Sequence, residues 1–363
     1  MKAGNGARSR NGSHPAPAPS ELATGGARKF WLAGATGFLG SHLTRLLVER
    51  GHEVTAVARG GGSVGDTTVA SLDVCDVAGV SESARGAHGA FLCVGKVSRD
   101  PAAAEELHRA NVLATRQVLA GLRAAGVRRV VVASTSGTIA VSEDPNHVAD
   151  EESSAPSALI LGLPYYRSKL YAEREALQAN DPPDFEVVIV NPSLLLGPGD
   201  LRESSTGDVR KFLEREVVAS PRGGLAFVDV RDAAEGMWLA FDRGRPGERY
   251  LLNAQNITVA AFFQRLSRLT GLPAPRVSLP RSRTLAVGLT DVFSRAVRAM
   301  GGEPPVDRAS IELAQLHWYC RSDKAERELG FSARDPGETL RDTVCDLVDR
   351  GVVARPASFG IAL

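Results

Sequence analysis

Tyr165 and Lys169 stand four residues apart in Tyr165-Tyr166-Arg167-Ser168-Lys169, which on a helix puts them on one face. A free phenol titrates at roughly pH 10, too high for easy proton exchange at neutral pH. A neighbouring ammonium favours the phenolate, so this spacing predicts a phenol able to give or take a proton at a carbinol carbon. Tyr166 has Leu170 at the fourth position, so the register selects Tyr165. The β-branched run Val130–Ala133 leads into Ser134-Thr135-Ser136-Gly137, a hydroxyl cluster where the carboxyl end of a sheet would meet a cofactor. A hydroxyl there can hydrogen-bond a substrate oxygen as charge shifts onto it. The plainer reading is that Ser and Thr end a strand.

A second pattern binds rather than reacts. Gly34-Ala35-Thr36-Gly37-Phe38-Leu39-Gly40 follows a strand-like run and opens a helical one. In this order one glycine permits a tight turn, the next lets backbone approach a pyrophosphate, and Gly40 lets helix pack on strand. The helix N-terminus then offers unpaired N–H groups and the positive end of its dipole. With 37 glycines in 363 residues the motif alone is weak, so its strand-to-helix context carries the expectation of a dinucleotide on Gly34, Thr36, Gly37, Phe38, Leu39 and Gly40. The second strand ends in Ala58-Arg59-Gly60-Gly61-Gly62, with no carboxylate for ribose hydroxyls. Arg59 can pair with a 2′-phosphate and the glycines leave room for it, so NADP(H) is expected over NAD(H), with a solvated Arg59 as the competing reading. Asp73 and Val74, after the third strand, are placed to contact the adenine, although an Asp in a loop is often only a cap.

These residues need an alternating scaffold. Strands are predicted at Phe30–Ala33, Glu53–Ala58, a short run ending near Leu72, Gly89–Val94, Val130–Ala133 and Phe185–Val190. Between them lie helices at Phe38–Arg50, at Pro164–Ala179, and from the Asp100-Pro101 cap to about Ala125. That order implies an α/β fold, a Rossmann-type doubly wound parallel sheet, with a smaller, interleaved, mainly helical C-terminal substrate-binding region. Phe227–Val230 reads as a strand, and the chain from about Thr258 as mainly helical with a loop at 271–280. The expected organisation is a disordered tail at 1–27 and a cofactor domain at 28–193 with a returning segment near 225–253. The substrate-binding region takes 194–224 and 254–352, and a C-terminal tail takes 353–363.

Composition excludes several classes. A net charge of +1 gives no global pull toward nucleic acid or an anionic membrane. No apolar run reaches the roughly 18 to 20 residues of a membrane span. The first 27 residues have no apolar core and do not read as a secretory signal, an organelle transit peptide being the minor alternative. Cys75, Cys93, Cys320 and Cys345 lie far apart with no metal-ligand spacing, so no metal is expected and the pattern fits free thiols in a reducing cytoplasm.

Taken together, these motifs resemble the extended short-chain dehydrogenase/reductase superfamily, the NAD-dependent epimerase/dehydratase family. The resemblance runs from about Lys29 to Val352 and adds Asn111-Val112-Leu113-Ala114-Thr115, Asn191-Pro192-Ser193, Gly197-Pro198-Gly199-Asp200, Phe227 to Asp232 and Lys324 to Phe331. Within the superfamily the chain is similar to dihydroflavonol-4-reductase-like proteins and hopanoid-associated sugar epimerases. The resemblance implies Thr135 as the hydroxyl residue, Tyr165 as proton donor, Lys169 as the ribose-binding lysine, and Pro192 and Ser193 beside the nicotinamide. Val94-Gly95-Lys96 departs from the small residues common there, so Lys96 is expected to crowd or recharge the pocket wall. Ser136-Gly137 stands where sugar dehydratases carry an Asp-Glu pair, which disfavours dehydration. An oxidoreductase that reduces a small-molecule ketone or aldehyde, or oxidises the alcohol, fits best, with reduction the preferred direction. An NAD-dependent nucleotide-sugar epimerase and a non-catalytic NADP-binding sensor or scaffold remain the alternatives, and relatives are often homodimers.

Overall fold

A computed structural model describes residues 26–356 apart from 281, 283, 286–287, 293–294 and 296–307. The tails expected at 1–27 and 353–363 fall largely outside the described residues. The first half reads β1 (Lys29–Ala33), α1 (Phe38–Glu49), β2 (Glu53–Ala58), β3 (Gly62–Val64), β4 (Thr67–Ser71), α2 (Val77–Ser83), β5 (Gly89–Leu92), α3 (Ala104–Leu107), α4 (Ala114–Ala124) and β6 (Arg129–Ala133). It continues through α5 (Ser157–Leu161), α6 (Pro164–Ala179), β7 (Glu186–Pro192), β8 (Leu194–Leu196), α7 (Gly207–Leu213), β9 (Ala219–Ser220), β10 (Gly224–Asp229) and α8 (Val230–Arg243). The last elements are β11 (Arg249–Leu252), β12 (Gln255–Thr258), α9 (Val259–Thr270), β13 (Val277–Ser278), α10 (Arg308–Ala314), α11 (Asp323–Leu329) and α12 (Pro336–Asp349).

The main sheet has eight strands in the order β11-β7-β6-β5-β1-β2-β4-β3. All its pairings are parallel except β3 with β4. This is the doubly wound Rossmann architecture expected from the alternation of strand and helix runs. β1 is buried on both faces, and its residues sort by the two-residue period of a strand. Phe30 and Leu32 enter the layer that holds Leu39, Leu43 and Leu47 of α1 and Ala233 and Met237 of α8. Trp31 and Ala33 enter the layer that holds Val80, Val118, Leu122 and Ala176 of α2, α4 and α6. The chain leaves β1 toward β2 on one side and returns to β5 on the other, so strand order reverses at β1. Ligands of open α/β sheets bind outside the carboxyl ends at such a switch point.

Three local features depart from expectation. The glycines after Arg59 form the turn from β2 into β3: Gly60 faces open space, Gly61 and Gly62 take φ of 61° and 130°, and β3 then folds back antiparallel on β4 through Gly65-Asp66. The helix expected at 100–125 begins at its Asp100 cap and Pro101 as a 3-10 turn, Pro101–Ala103, and is interrupted by a π-helical turn, His108–Leu113. The extra residue per turn of such a bulge leaves Asn111 buried against the site. β8, β11 and β12 were not anticipated. β8 and β11 are runs of three and four residues near prolines and loops, and β12 is mostly polar, so periodicity does not separate them from their surroundings.

The later segments have their own core of Leu196, Phe212, Phe227, Phe262, Leu266, Leu340 and Val344. β10 joins β8 and β12 in a separate three-stranded sheet, whereas β11 pairs with β7 at the edge of the main one. Among the described residues no helix is long and apolar enough to cross a membrane, and no cluster of His, Cys, Asp and Glu could hold a metal ion.

Candidate active site

Each site residue named from the sequence sits within a few positions of the carboxyl end of a main-sheet strand or on α6. At the end of β1, Gly34 has φ of 82°, and a Cβ on it would lie 2.5 Å from the Cys93 carbonyl oxygen. A Cβ on Gly40 would lie 2.1 Å from the Gly34 carbonyl oxygen. Backbone therefore fills the space where side chains would be, and Ala at either position has no room. Gly37 precedes α1 without a side-chain cap, and the first turn carries no acidic residue. The N–H groups of Phe38, Leu39 and Gly40 thus face outward with the helix dipole behind them, a fit for a pyrophosphate.

Arg59 is exposed and makes no side-chain hydrogen bond or ion pair among the described residues. The hairpin that follows it leans over the glycine-rich turn: a Cβ on Gly62 would lie 3.5 Å from Thr36 Cγ2. The turn that follows Arg59 is thus in contact with the glycine-rich turn. Asp73 is exposed and accepts from the Cys75 N–H at 3.0 Å, so in this structure it acts as a turn cap. Val74 is half-buried against the core below it.

On α6, Lys169 is buried, and its Nζ donates to the Ala133 carbonyl at 2.7 Å. Burial pulls its ammonium down to about 8, opposed by the nearby Glu173 carboxylate. Tyr165 departs from expectation. Burial raises its phenol above the ordinary value, the neighbouring Tyr166 adds to the rise, and Lys169 contributes no lowering. The lysine is turned to the end of β6 rather than to the phenol, which is the physical reason the expected coupling is missing. Lys96 also departs: its Nζ pairs with Glu106 and both ends are substantially exposed, so it does not crowd the pocket wall. Only its backbone serves the site, exchanging hydrogen bonds with the Asn111 amide at 2.8 and 3.1 Å. The Asn111 Nδ2 also donates to Ser168 Oγ, which donates to the Tyr165 carbonyl, so the π-turn steadies the start of α6.

A buried carboxylate went unnoticed in the sequence. Glu173 is 1% exposed and accepts from Ser134 Oγ, Thr138 Oγ1 and Asn191 Nδ2, with Arg249 3.5 Å away. The same Asn191 amide donates to the Thr135 carbonyl at 3.0 Å, so this network fixes the backbone that carries the Thr135 hydroxyl. The signal was present: Tyr165, Lys169 and Glu173 repeat every fourth residue, on one helix face.

A cavity of about 650 Å³ opens beside these groups. Phe38 and Leu39 of the cofactor turn line it together with Thr135, Tyr165, Tyr166, Pro192 and Ser193. Tyr166 lies against Trp318 with ring centroids 4.6 Å apart, and a Cβ on Gly137 would meet the Tyr166 ring at 2.2 Å. The ring thus occupies the space an acidic side chain at Gly137 would need. Other motifs of the sequence are scaffold. Asp229 caps α8 and binds the Arg231 guanidinium. Asp200 accepts from the Ser204, Ser205 and Thr206 N–H groups, and Lys324 pairs with Glu248 at 2.6 Å.

Comparison with known proteins places this geometry. Residues 31–252 match the model of the NAD dependent epimerase/dehydratase family. Over 335 residues the chain is 33% identical to a protein of Synechocystis provisionally named a dihydroflavonol 4-reductase, covering 89% of this chain and 96% of that one. It is 30% identical to the sterol demethylase protein B of Methylococcus capsulatus over 329 residues, covering 89% and 99%. Among solved structures, gox2253 superposes with a TM-score of 0.77 at 28% identity, over 90% of this chain and 99% of that one.

Proposed function

The chain belongs to the NAD dependent epimerase/dehydratase family, and from that premise we propose that it is an NADPH-dependent reductase of ketones or aldehydes. The observation that carries this reading is one cavity shared by the cofactor turn, through Phe38 and Leu39, and by the hydroxyls of Thr135 and Tyr165. The reductase names of similar proteins support the reaction class.

The reduced nicotinamide supplies the hydride when bound. Gly34, Thr36, Gly37 and the α1 N-terminus hold its pyrophosphate, Arg59 the 2′-phosphate, Asp73 and Val74 the adenine side, and Pro192 and Ser193 the nicotinamide side. Lys169 holds the ribose hydroxyls with the ammonium that now rests on Ala133. Thr135 orients the substrate carbonyl by hydrogen-bonding its oxygen. As the carbonyl carbon becomes a carbinol carbon, Tyr165 gives its phenolic proton to that oxygen and regains one from solvent. A phenol raised by burial stays protonated across the neutral range, which suits a donor in the reducing direction. We assign substrate binding to 194–224 and 254–352, whose described residues, among them Val209, Phe262 and Ile311, line the cavity. A side chain at Gly137 would meet the Tyr166 ring, which supports a reductase over the acidic pair of a dehydratase.

The test is oxidation of NADPH and of NADH by the full-length protein against a panel of ketones, aldehydes and nucleotide sugars. NADPH oxidation with a ketone or aldehyde is the expected result. Interconversion of nucleotide sugars without net cofactor oxidation would overturn the reading in favour of an epimerase.

A further inference from the structure

The cavity wall away from the reacting groups carries a second message. Beyond Thr135 and Tyr165 it is built by β8, β10, α7, α9 and α10 rather than by the main sheet. Its deep side chains are Val209, Phe262, Phe263 and Ile311, all buried. At its open rim stand Val97, Val218 and Leu289, exposed by 50%, 60% and 56%. Exposed aliphatic groups on the margin of a cavity are what a partly protruding apolar ligand would cover.

The charges of the wall argue in the same direction. Among the described residues its cations are Arg99 and Lys211, against the carboxylates Asp208, Glu216 and Glu312. Arg99 is already engaged, with its two Nη atoms 3.4 and 3.0 Å from the two oxygens of Asp208. A nucleoside diphosphate would bring two negative charges into a wall where, among the described residues, carboxylates outnumber cations and Arg99 is already paired. A diphosphate site needs the reverse, guanidinium or backbone N–H groups free to form charge-assisted bonds. Volume does not discriminate, since about 650 Å³ suits any ligand of drug size. The lining does.

We infer that the substrate is a lipid-sized apolar carbonyl compound: one oxygen-bearing end at Thr135 and Tyr165, a hydrocarbon body along the wall, and no phosphate. This rests on the reductase reading above and narrows it.

The experiment separates the two. Binding of 2-heptanone, 2-nonanone, 2-undecanone and UDP-glucose is measured by calorimetry on the full-length protein saturated with NADP⁺, where no reduction can occur, and NADPH oxidation by the same ketones is followed in parallel. Burial of hydrocarbon predicts affinity rising with chain length, up to about fourfold per methylene. UDP-glucose should not displace 2-undecanone. Val218→Asp, at an exposed position that does not touch the core, should weaken 2-undecanone more than 2-heptanone. Equal affinity along the series, or UDP-glucose bound more tightly than 2-undecanone, would overturn the substrate class even if the ketones are reduced. Chain-length-dependent binding with no NADPH oxidation would support the class and sink the reductase reading instead.

Discussion

The cavity's two ends are made by opposite means. At the end formed by the glycine-rich turn, position is set by backbone: Gly34 and Gly40 let a strand, a turn and a helix approach within distances that admit no Cβ. At the far end it is set by side chains, with Phe262, Phe263, Val209 and Ile311 filling a wall whose backbone could accept many other apolar sets. A site made by backbone has few solutions, and one added carbon destroys it. A wall made by side chains can be repacked at constant volume, so it is where substrate preference changes at little cost to the fold.

The sharpest way to break this contrast is Gly34→Ala. The new Cβ would lie 2.5 Å from a backbone oxygen at a φ of 82°, so folding stability should fall by about 3 kcal/mol or more in denaturant titration. A stable variant that still binds cofactor would show that the turn is not under this constraint. Next, Arg59→Ala should cost about 1.5 to 3 kcal/mol of NADPH affinity, as for a hydrogen bond to a charged group, and leave NADH almost unchanged. Equal losses would remove Arg59 from the 2′-phosphate.

A pH profile sharpens the middle of the site. Lys169 is an ammonium below about pH 8 and an amine above it, because burial holds its pKa down. kcat/KM should therefore be flat below about pH 8 and fall above it, approaching roughly tenfold per pH unit. Glu173 raises that pKa, so Glu173→Gln should move the falling limb to lower pH. A limb that stays in place would show that Lys169 does not control it. The smallest effect belongs to the wall: Val218→Ala, at a position 60% exposed, should change stability by no more than about 0.5 kcal/mol.

The same contrast explains what could be read from the residues alone. The glycine-rich turn, β1, β2, β6 and α6 were legible because each obeys a local rule of period, cap or conformation. Thr135, Tyr165 and the glycine-rich turn, through Phe38 and Leu39, line one cavity, since strand ends converge in a doubly wound sheet. Besides Glu173 and the strands β8, β11 and β12, three long-range details escaped. The turn at Gly61–Gly62 leads into β3, whose pairing with β4 the glycines permit but do not announce. The outward turn of Lys96 depends on Glu106, ten residues away across a loop and a helix start. Lys169 points to Ala133 because the end of β6 offers an acceptor there, and spacing along a helix carries no information about that.

The measurement that tests the central claim most directly is the pair Tyr165→Phe and Tyr166→Phe, assayed for NADPH binding and for carbonyl reduction. Removing the Tyr165 oxygen leaves the ring and its edge contact with Tyr166, centroids 5.0 Å apart, in place. NADPH binding should persist, and turnover should drop by about two to four orders of magnitude, the usual contribution of a positioned acid. Tyr166→Phe keeps the ring that packs on Trp318 and should retain near-normal rates. Loss of activity in the Tyr166 variant with activity kept in the Tyr165 variant would contradict the register, and full activity in both would contradict the mechanism.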